Sequence, residues 1–410
     1  MIVIIGGGIS GITAAVELAE AGFEVTLVEK EPFLGGNVVK MNNYFPKLCP
    51  PVCGLEINFR RIRNNPRITL CTSSTVKAIS GEAGNFTITL LKEPEYIKNT
   101  CTSCGKCTEV CPQERPDTFN HGFGTTTAVY LPHEMAFPMK YSIDDKACIK
   151  QQCAKCLDIC EYNAIDLDAK PESTDIRAGA IIVTTGWTSF DAGQILGLNY
   201  CHDNVLTNVE FERFLSDNGH TGGKLLRPSD HSEIKDLVFV QCAGSRDENY
   251  LPYCSGVCCS ASLKHALSSS LKMKDLKIKI FYIDLRVSGR NEDFLNRVRD
   301  INNIQLIKGK VAEINNAENG DLEIIAEDIL SGKKIRHTTN MVILAAGIVP
   351  DTRETPVSKQ LYGFVKESVI GIIPAGCCKR PMDVSASVKD ATAAAMKAVK
   401  YVKSELKHGE

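Results

Sequence analysis

The chain has 410 residues, 43% of them hydrophobic and 23% charged, with a formal net charge of −2. That length allows two or three domains, and that charge gives no general attraction to nucleic acid or anionic lipid. No apolar run approaches the roughly 18 residues of a membrane-crossing helix, and the start, MIVIIGGG, enters a strand pattern instead of a secretory signal. The expectation is a cytoplasmic protein with no nucleic-acid partner and no direct membrane span, reaching a membrane only through a partner. In a reducing cytoplasm its 18 cysteines point to metal, not disulfides.

Residues 2–5, IVII, read as a buried strand, and Gly6-Gly7-Gly8-Ile9-Ser10-Gly11 leads into a helical pattern from Ile12 to Ala21. A second strand, Glu24 to Val28, ends at Glu29. This is G-x-G-x-x-G in strand–turn–helix–strand context, the dinucleotide fingerprint. Gly6 permits the tight turn, Gly8 lets a pyrophosphate approach the backbone, and Gly11 lets helix and strand pack closely. Ser10 lies at the helix N-terminus, which favours phosphate charge, and Glu29 can accept from ribose hydroxyls. The glycines alone would be only a turn; strand, helix and acid together make a nucleotide site. Gly35-Gly36 resembles the second glycine pair of FAD-binding reductases, which favours FAD over NAD. Lys30, Gly36, Asn37 and Val76 complete the candidate contacts of this half. Cys49 and Cys53, in CPPVCG, flank the stiff Pro50-Pro51; a redox pair, ligands of another cluster and a structural turn all stay open.

Residues 101–112 read CTSCGKCTEVCP, the C-x2-C-x2-C-x3-C-P run of bacterial ferredoxins. Residues 148–160, CIKQQCAKCLDIC, repeat the rhythm as C-x4-C-x2-C-x3-C. Two such runs make a two-cluster ferredoxin, in which the fourth cysteine of each run crosses over. Cys101, Cys104, Cys107 and Cys160 are expected to hold one [4Fe–4S] cluster, and Cys148, Cys153, Cys156 and Cys111 the other. Zinc also takes four thiolates, but zinc ribbons usually pair two C-x2-C units. The x4 gap after Cys148 and Glu161 in place of proline are departures that imply a widened second loop. The linker AVYLPHEMAFPMKYSID is expected to pack against the flavin domain.

Residues 179–186, GAIIVTTG, and 341–347, MVILAAG, read as strand-then-glycine crossings of the same FAD domain, adding Gly186 and Gly347. Between them, Leu237 to Gln241 is strand-like and Ala261 to Lys272 helix-like. In an ordinary flavin reductase such a pair flanks a glycine loop for nicotinamide. Here the loop is CAGSRDENYLPYCSGVCC. The reading is a third cluster on Cys242, Cys254, Cys258 and Cys259, against buried cysteines or zinc. Such a cluster would replace NAD(P)H as the flavin's redox partner, with electrons passing singly. Cys71, Cys201, Cys377 and Cys378 default to buried thiols. The end of the chain, GIIPAGCC followed by an alanine-rich helix from Ser385 to Ala398, adds Gly376 and Ser385. Its first amides could face a flavin's pyrimidine edge, although Gly376-Cys377 departs from the Gly-Asp many FAD reductases carry.

The pattern QCAGSR…YCSGVCC…LK, the insert linker, IFYIDLRVSGRNEDFLNRV and PAGCCKRPMDVSASVKDATAAAMKA together resemble the A-subunit family of heterodisulfide reductases. The resemblance implies an α/β, thioredoxin-reductase-like flavoprotein with an inserted two-cluster ferredoxin, carrying FAD and [4Fe–4S] clusters. It also implies that Lys264, otherwise a solvated helix residue, lies near the flavin ring, where its charge would favour the reduced anion. The implied organisation is FAD domain in residues 1–98, 166–235 and 337–410, ferredoxin insert in 99–165, and a cysteine-bearing Rossmann-like domain in 236–336. Length, the opening glycine loop and YFPKLCPPVCGLEINFRRI resemble the branch in quinone-interacting membrane-bound oxidoreductase (Qmo) complexes. That branch implies partnership with Qmo B and C subunits, and electron transfer between menaquinol and adenylylsulfate (APS) reductase at the inner membrane. The alternative is the A subunit of a soluble heterodisulfide-reductase-like complex, with flavin-based bifurcation and thiol or disulfide chemistry. The remaining rivals are an NAD(P)H-dependent reductase and a structural component whose flavin is inert.

Overall fold

The computed structural model describes residues 1–287 and 289–406, with side chains to residue 402. The first sheet is five parallel strands in the order Ile372–Pro374, Ala180–Val183, Ile2–Ile5, Val25–Val28, Ile68–Cys71. The middle three are apolar and fully buried along their length, as parallel strands covered on both faces must be. One face is covered by helices Ile9–Glu20 and Val384–Leu406, whose contact is rich in alanine: Ala14, Ala15, Ala391, Ala394, Ala395 and Ala398 are all buried. These small side chains let the two helices approach each other closely above the sheet. The other face carries an antiparallel sheet of three strands, Ser74–Glu82, Asn85–Lys92 and Glu172–Ala178. Val76 is buried in the core between these layers, with Val3, Ile5 and Val28.

The ferredoxin-like insert grows from the antiparallel sheet. Lys92 pairs with Glu172 at its base, and Ile97 bridges Ile165 further out, so the chain enters and leaves along paired arms. Its linker does pack on the first domain: Leu34 N–H donates to Phe137 O at 2.8 Å, and the Phe59 and Phe137 rings stack at 5.1 Å.

The second sheet has seven strands, in the order Val205–Thr207, Met341–Ala346, Asp236–Ala243, Lys277–Tyr282, Ile304–Asn316, Leu322–Asp328, Lys333–Thr339. The first five are parallel and the last two turn back as an antiparallel meander. This corrects two expectations. Residues 205–207, expected in the FAD domain as part of 166–235, pair with Val342 to Leu344 in this sheet. The segment 341–347 belongs to this second sheet and not to the FAD-type sheet: Met341 to Leu344 align with Leu237 to Val240. A strand–glycine signature alone cannot choose between two parallel sheets, because both present it. The domains are joined by a short antiparallel pair, Trp187–Ser189 with Ile348–Pro350. Among the described residues no helix is long and apolar enough to cross a membrane.

Candidate functional site

Close backbone approach defines the glycine turn after Ile5. Gly6 has φ +108°, and a Cβ there would lie 2.4 Å from Thr184 O; one on Gly11 would lie 1.8 Å from Gly6 O. Gly35 N–H donates to Gly7 O at 2.9 Å, and a Cβ on Gly36 would come within 3.0 Å of Gly8 Cα. Two backbone loops without side chains therefore face each other at Gly8 and Gly36, a cradle suited to a pyrophosphate. Glu29 is buried at the end of its strand, accepting from Gly7 N–H at 2.6 Å and from Glu31 N–H at 2.8 Å. Burial pushes its carboxyl up to about 7, against the lowering pull of those two donors.

The other candidates of this half divide. Ser10 is buried beneath Gly376 (φ +73°), where a Cβ would meet Ser10 Oγ at 2.4 Å. Gly376 N–H donates to Asp390 Oδ2 at 2.9 Å, so a carboxylate from the C-terminal helix stands where the sequence lacks Gly-Asp. Lys379 holds the other oxygen of Asp390 at 3.0 Å. Asn37 donates to Trp187 O at 2.6 Å, and Lys30 pairs with Asp351 at 2.6 Å. Gly186 (φ +76°) lies beyond the Ala180–Val183 strand, and Ser385 is exposed in the first turn of the last helix. Gly347 falls elsewhere: a Cβ on it would strike Ser245 Oγ at 2.3 Å and Ser255 Oγ at 3.0 Å, so it packs under the cysteine loop.

That loop opens at a bulge between Val240 and Ala243, with Cys242 at φ +59°. It is stitched by Ser245 and Ser255 hydroxyls 3.0 Å apart and by Tyr253, which donates to Ile348 O at 2.8 Å. The helix begins at Cys258, three residues earlier than the sequence pattern suggests, so Cys258 and Cys259 form its first turn. Burial raises the Cys258 thiol, and the neighbouring Cys259, Cys242 and Cys254 raise it further. Thiols grouped in this way resist ionisation together unless a cation compensates them, which is the role cluster iron fills.

In the insert, Cys101, Cys104, Cys107 and Cys160 line one small cavity with Ile97 and Tyr141. Burial, with Cys101 and Cys104 close by, pushes the Cys107 thiol up to about 11. The Cys156 thiol is likewise pushed up to about 11 by burial and by Cys148, Cys111 and Cys153. The fourth cysteine of each run thus sits with the other run's first three. The widened loop is taken up by a 3-10 turn, Lys150–Gln152, with Lys150 at φ +49°, and Glu161 forms an ion pair with Lys106. Among the described residues no three His, Cys, Asp or Glu are spaced to grip a single metal ion.

Lys264 is not a solvated helix residue. It is 4% exposed, forms an ion pair with the buried Glu212 and donates to Asn43 O at 2.8 Å. Its outward reading fails because helix 258–272 is covered on this side by helix Asn208–Leu215. Glu212 also accepts from His265 Nε2 at 2.8 Å and from Asn42 N–H at 3.0 Å. Burial pushes the Glu212 carboxyl up, but the Lys264 ammonium and His265 outweigh it and hold it well below the usual range. Sequence reasoning missed Glu212 and His265. The available signal was an acid on the inward side of an amphipathic helix, next to the core residue Phe211 and about one turn before Leu215. Cys49 and Cys53 are exposed, Cys377 and Cys378 are buried, Cys71 is partly buried, and Cys201 is exposed and not a buried thiol.

Residues 2–59 match the FAD dependent oxidoreductase family. The fold is similar to thioredoxin reductases from Lactococcus lactis (TM-score 0.54, 13% identity, 98% of this chain and 99% of that one) and T. acidophilum (0.52, 14%, 98% and 97%). The chain is thus a thioredoxin-reductase-like α/β oxidoreductase. It is 38% identical over 98% of its length to the A subunit of the H(2):CoB-CoM heterodisulfide,ferredoxin reductase of Methanothermobacter marburgensis, covering 64% of that protein. It is 37% identical over 96% of its length to an iron-sulfur A subunit of the CoB–CoM heterodisulfide reductase of Methanopyrus kandleri, covering 63%. Against the A subunit of the ferredoxin:CoB-CoM heterodisulfide reductase of Methanosarcina acetivorans the figures are 35%, 97% and 56%. It therefore spans somewhat under two thirds of the length of these curated relatives, and over nearly its whole length it is similar to the A subunits of heterodisulfide reductases.

Proposed function

We propose that this chain is the flavin-bearing electron-transfer component of a heterodisulfide-reductase-like complex, in which FAD exchanges electrons with three [4Fe–4S] clusters and not with nicotinamide. The observation that carries the reading is the four-cysteine loop, which occupies the second crossing where a nicotinamide pyrophosphate would sit. Gly6, Gly8, Gly11, Gly36 and Glu29 would hold the FAD, which supplies two-electron chemistry that can be divided into single steps. Cys242, Cys254, Cys258 and Cys259 would hold the cluster of the second domain, and the two mixed cysteine sets those of the insert. Glu212 neutralises Lys264, so the lysine acts as half of a buried pair and its charge on a nearby flavin is smaller than that of a free ammonium.

The Qmo reading, with B and C subunits, menaquinol and APS reductase, rests on the segment from Tyr44 to Ile62. There the exposed Cys49 and Cys53 flank the start of helix Val52–Arg63. The heterodisulfide-reductase-like reading has the broader support, since the named relatives span nearly the whole chain. Peripheral membrane attachment belongs to the Qmo reading alone, and partner subunits to both. The test is anaerobic titration of the FAD- and iron-loaded chain. NADH and NADPH are expected to leave the flavin oxidised while a low-potential one-electron donor bleaches it; rapid stoichiometric bleaching by either nucleotide would overturn the reading.

A further inference from the structure

Two-electron reduction of a flavin consumes two electrons and at least one proton. Nicotinamide delivers these together as hydride. Reduced iron–sulfur clusters, the electron donors of the proposed function on which this inference rests, deliver electrons only, one each. The proton must arrive by another route, and the helix carrying Cys258 offers one.

Positions 258, 262, 265 and 269 follow the i, i+4, i+7, i+11 spacing and share one helix face. That face is buried: Cys258 is 8% exposed and Ser262, His265 and Ser269 are 0%. A buried helix face is normally apolar, yet Ser262 Oγ, His265 Nδ1 and Ser269 Oγ all lack a hydrogen-bond partner. So do both amide atoms of Gln241, on the adjoining strand, and Asn208 Oδ1, one turn before Glu212. Each such orphan is costly to bury, and a run of them is what ordered internal water satisfies. The run has two ends. Towards the C-terminal turn of the helix, Leu271 is 62% exposed and Ser270 bonds Asn303 at 2.8 Å. In the other direction, His265 Nε2 meets Glu212, which also holds Lys264 and the Asn42 amide of the first domain.

We propose that Ser269, His265, Ser262 and Glu212 form a water-filled proton relay, from the end of this helix to the loop Asn42–Asn43 at the domain boundary. The Glu212 carboxylate fixes the imidazole tautomer. Since that carboxylate only accepts, Nε2 carries the hydrogen and Nδ1 presents a lone pair. Phe211 and Phe239 hold the ring, at centroid distances of 5.5 and 6.3 Å. A proton taken at Nδ1 from water releases the Nε2 proton to Glu212, the carboxylate hands it on to water at the Asn42–Asn43 loop, and a water returning the ring to its starting tautomer completes the cycle. One proton passes per turn and no electron moves through these residues.

The test is stopped-flow reduction of the FAD- and iron-loaded full chain by pre-reduced methyl viologen, which gives up one electron and no proton, in weak buffer with a pH indicator. The unaltered protein should take up its proton in step with flavin bleaching. His265→Gln keeps an N–H for Glu212 but cannot pass a proton on; it should slow proton uptake and flavin bleaching by about tenfold or more, with iron and FAD content unchanged. Ser269→Val should do the same from a position distant from Glu212, and stands in if the histidine variant loses FAD. Unchanged proton uptake in either fully loaded variant would overturn the relay. Because reduced methyl viologen reduces flavin directly, the result stays readable in a chain lacking the third cluster, whose absence iron analysis would show separately.

Discussion

The molecule contains two strand–turn–helix crossings at the ends of parallel strands, and they solve different problems. After Ile5 the turn is stripped of side chains, so that backbone meets backbone at Gly6, Gly11 and Gly36. After Gln241 the turn is long, knotted by Ser245, Ser255 and Tyr253, and carries Cys242, Cys254, Cys258 and Cys259. The same topology thus makes a phosphate cradle where side chains are removed and, in the function proposed above, a cluster site where cysteines stand. A fold of the thioredoxin reductase type therefore fixes where a redox partner of the flavin sits, but not whether that partner carries hydride or single electrons.

The largest expected effect falls on the glycine crossing. Gly11→Val puts a side chain into Gly6 O, a backbone atom that cannot step aside. FAD should be lost almost completely and the first domain should fail to fold stably, read by FAD content and thermal unfolding; retention of full FAD would show that the turn is looser than described.

The next concerns Lys264 in the second crossing. Removing one partner of a buried ion pair costs about 3–5 kcal/mol, so Lys264→Met should lower unfolding stability by that order near neutral pH. The sign with pH follows from Glu212. Its carboxyl, held low in the native protein, contributes stability present above its unfolded value of 4.5 and lost as pH falls through the lower folded value. In Lys264→Met the larger charge contribution to the lowering is gone and only His265 still opposes burial, so the variant should recover stability on acidification where the parent does not. A Lys264→Met, Glu212→Gln double variant should regain most of the loss. Urea unfolding at two pH values checks both; equal losses at both would contradict the pairing.

A smaller effect separates the crossings by pH. Glu29 is raised to about 7 by burial. A raised carboxyl contributes stability fully present below the unfolded value of 4.5 and lost as pH rises through about 7. The FAD-free protein should therefore weaken between those limits by up to roughly 3 kcal/mol. Glu29→Gln should flatten that dependence; an unaltered slope would assign it to other groups.

Much of this was legible in the residues. The glycine turn and the ferredoxin rhythm are local patterns whose chemistry is set by spacing, so Gly6 to Gly11 and the two cysteine runs could be read without a fold. The assignment of Gly347 was not legible, because its strand pairs with Leu237 to Val240 across about 100 residues of chain, as long-range pairing commonly does, and the glycine signature is shared by both sheets. Lys264 was legible as a position but not as a partner: helix periodicity gives the face, while the covering helix 208–215 decides that the ammonium meets Glu212. Asp390, which takes the Gly376 amide, was hidden because a carboxylate 14 residues away replaces the one the motif leads a reader to look for.

The central claim is that the second crossing holds a cluster. Iron, sulfide and low-temperature EPR on the anaerobically reconstituted chain test it, compared with a Cys258→Ala, Cys259→Ala double variant. The account predicts about twelve iron atoms per chain, four for each of three clusters. It predicts about eight in the variant, with the two ferredoxin-type signals and the FAD retained. Equal iron near eight in both proteins would contradict it and return the four cysteines to a structural role.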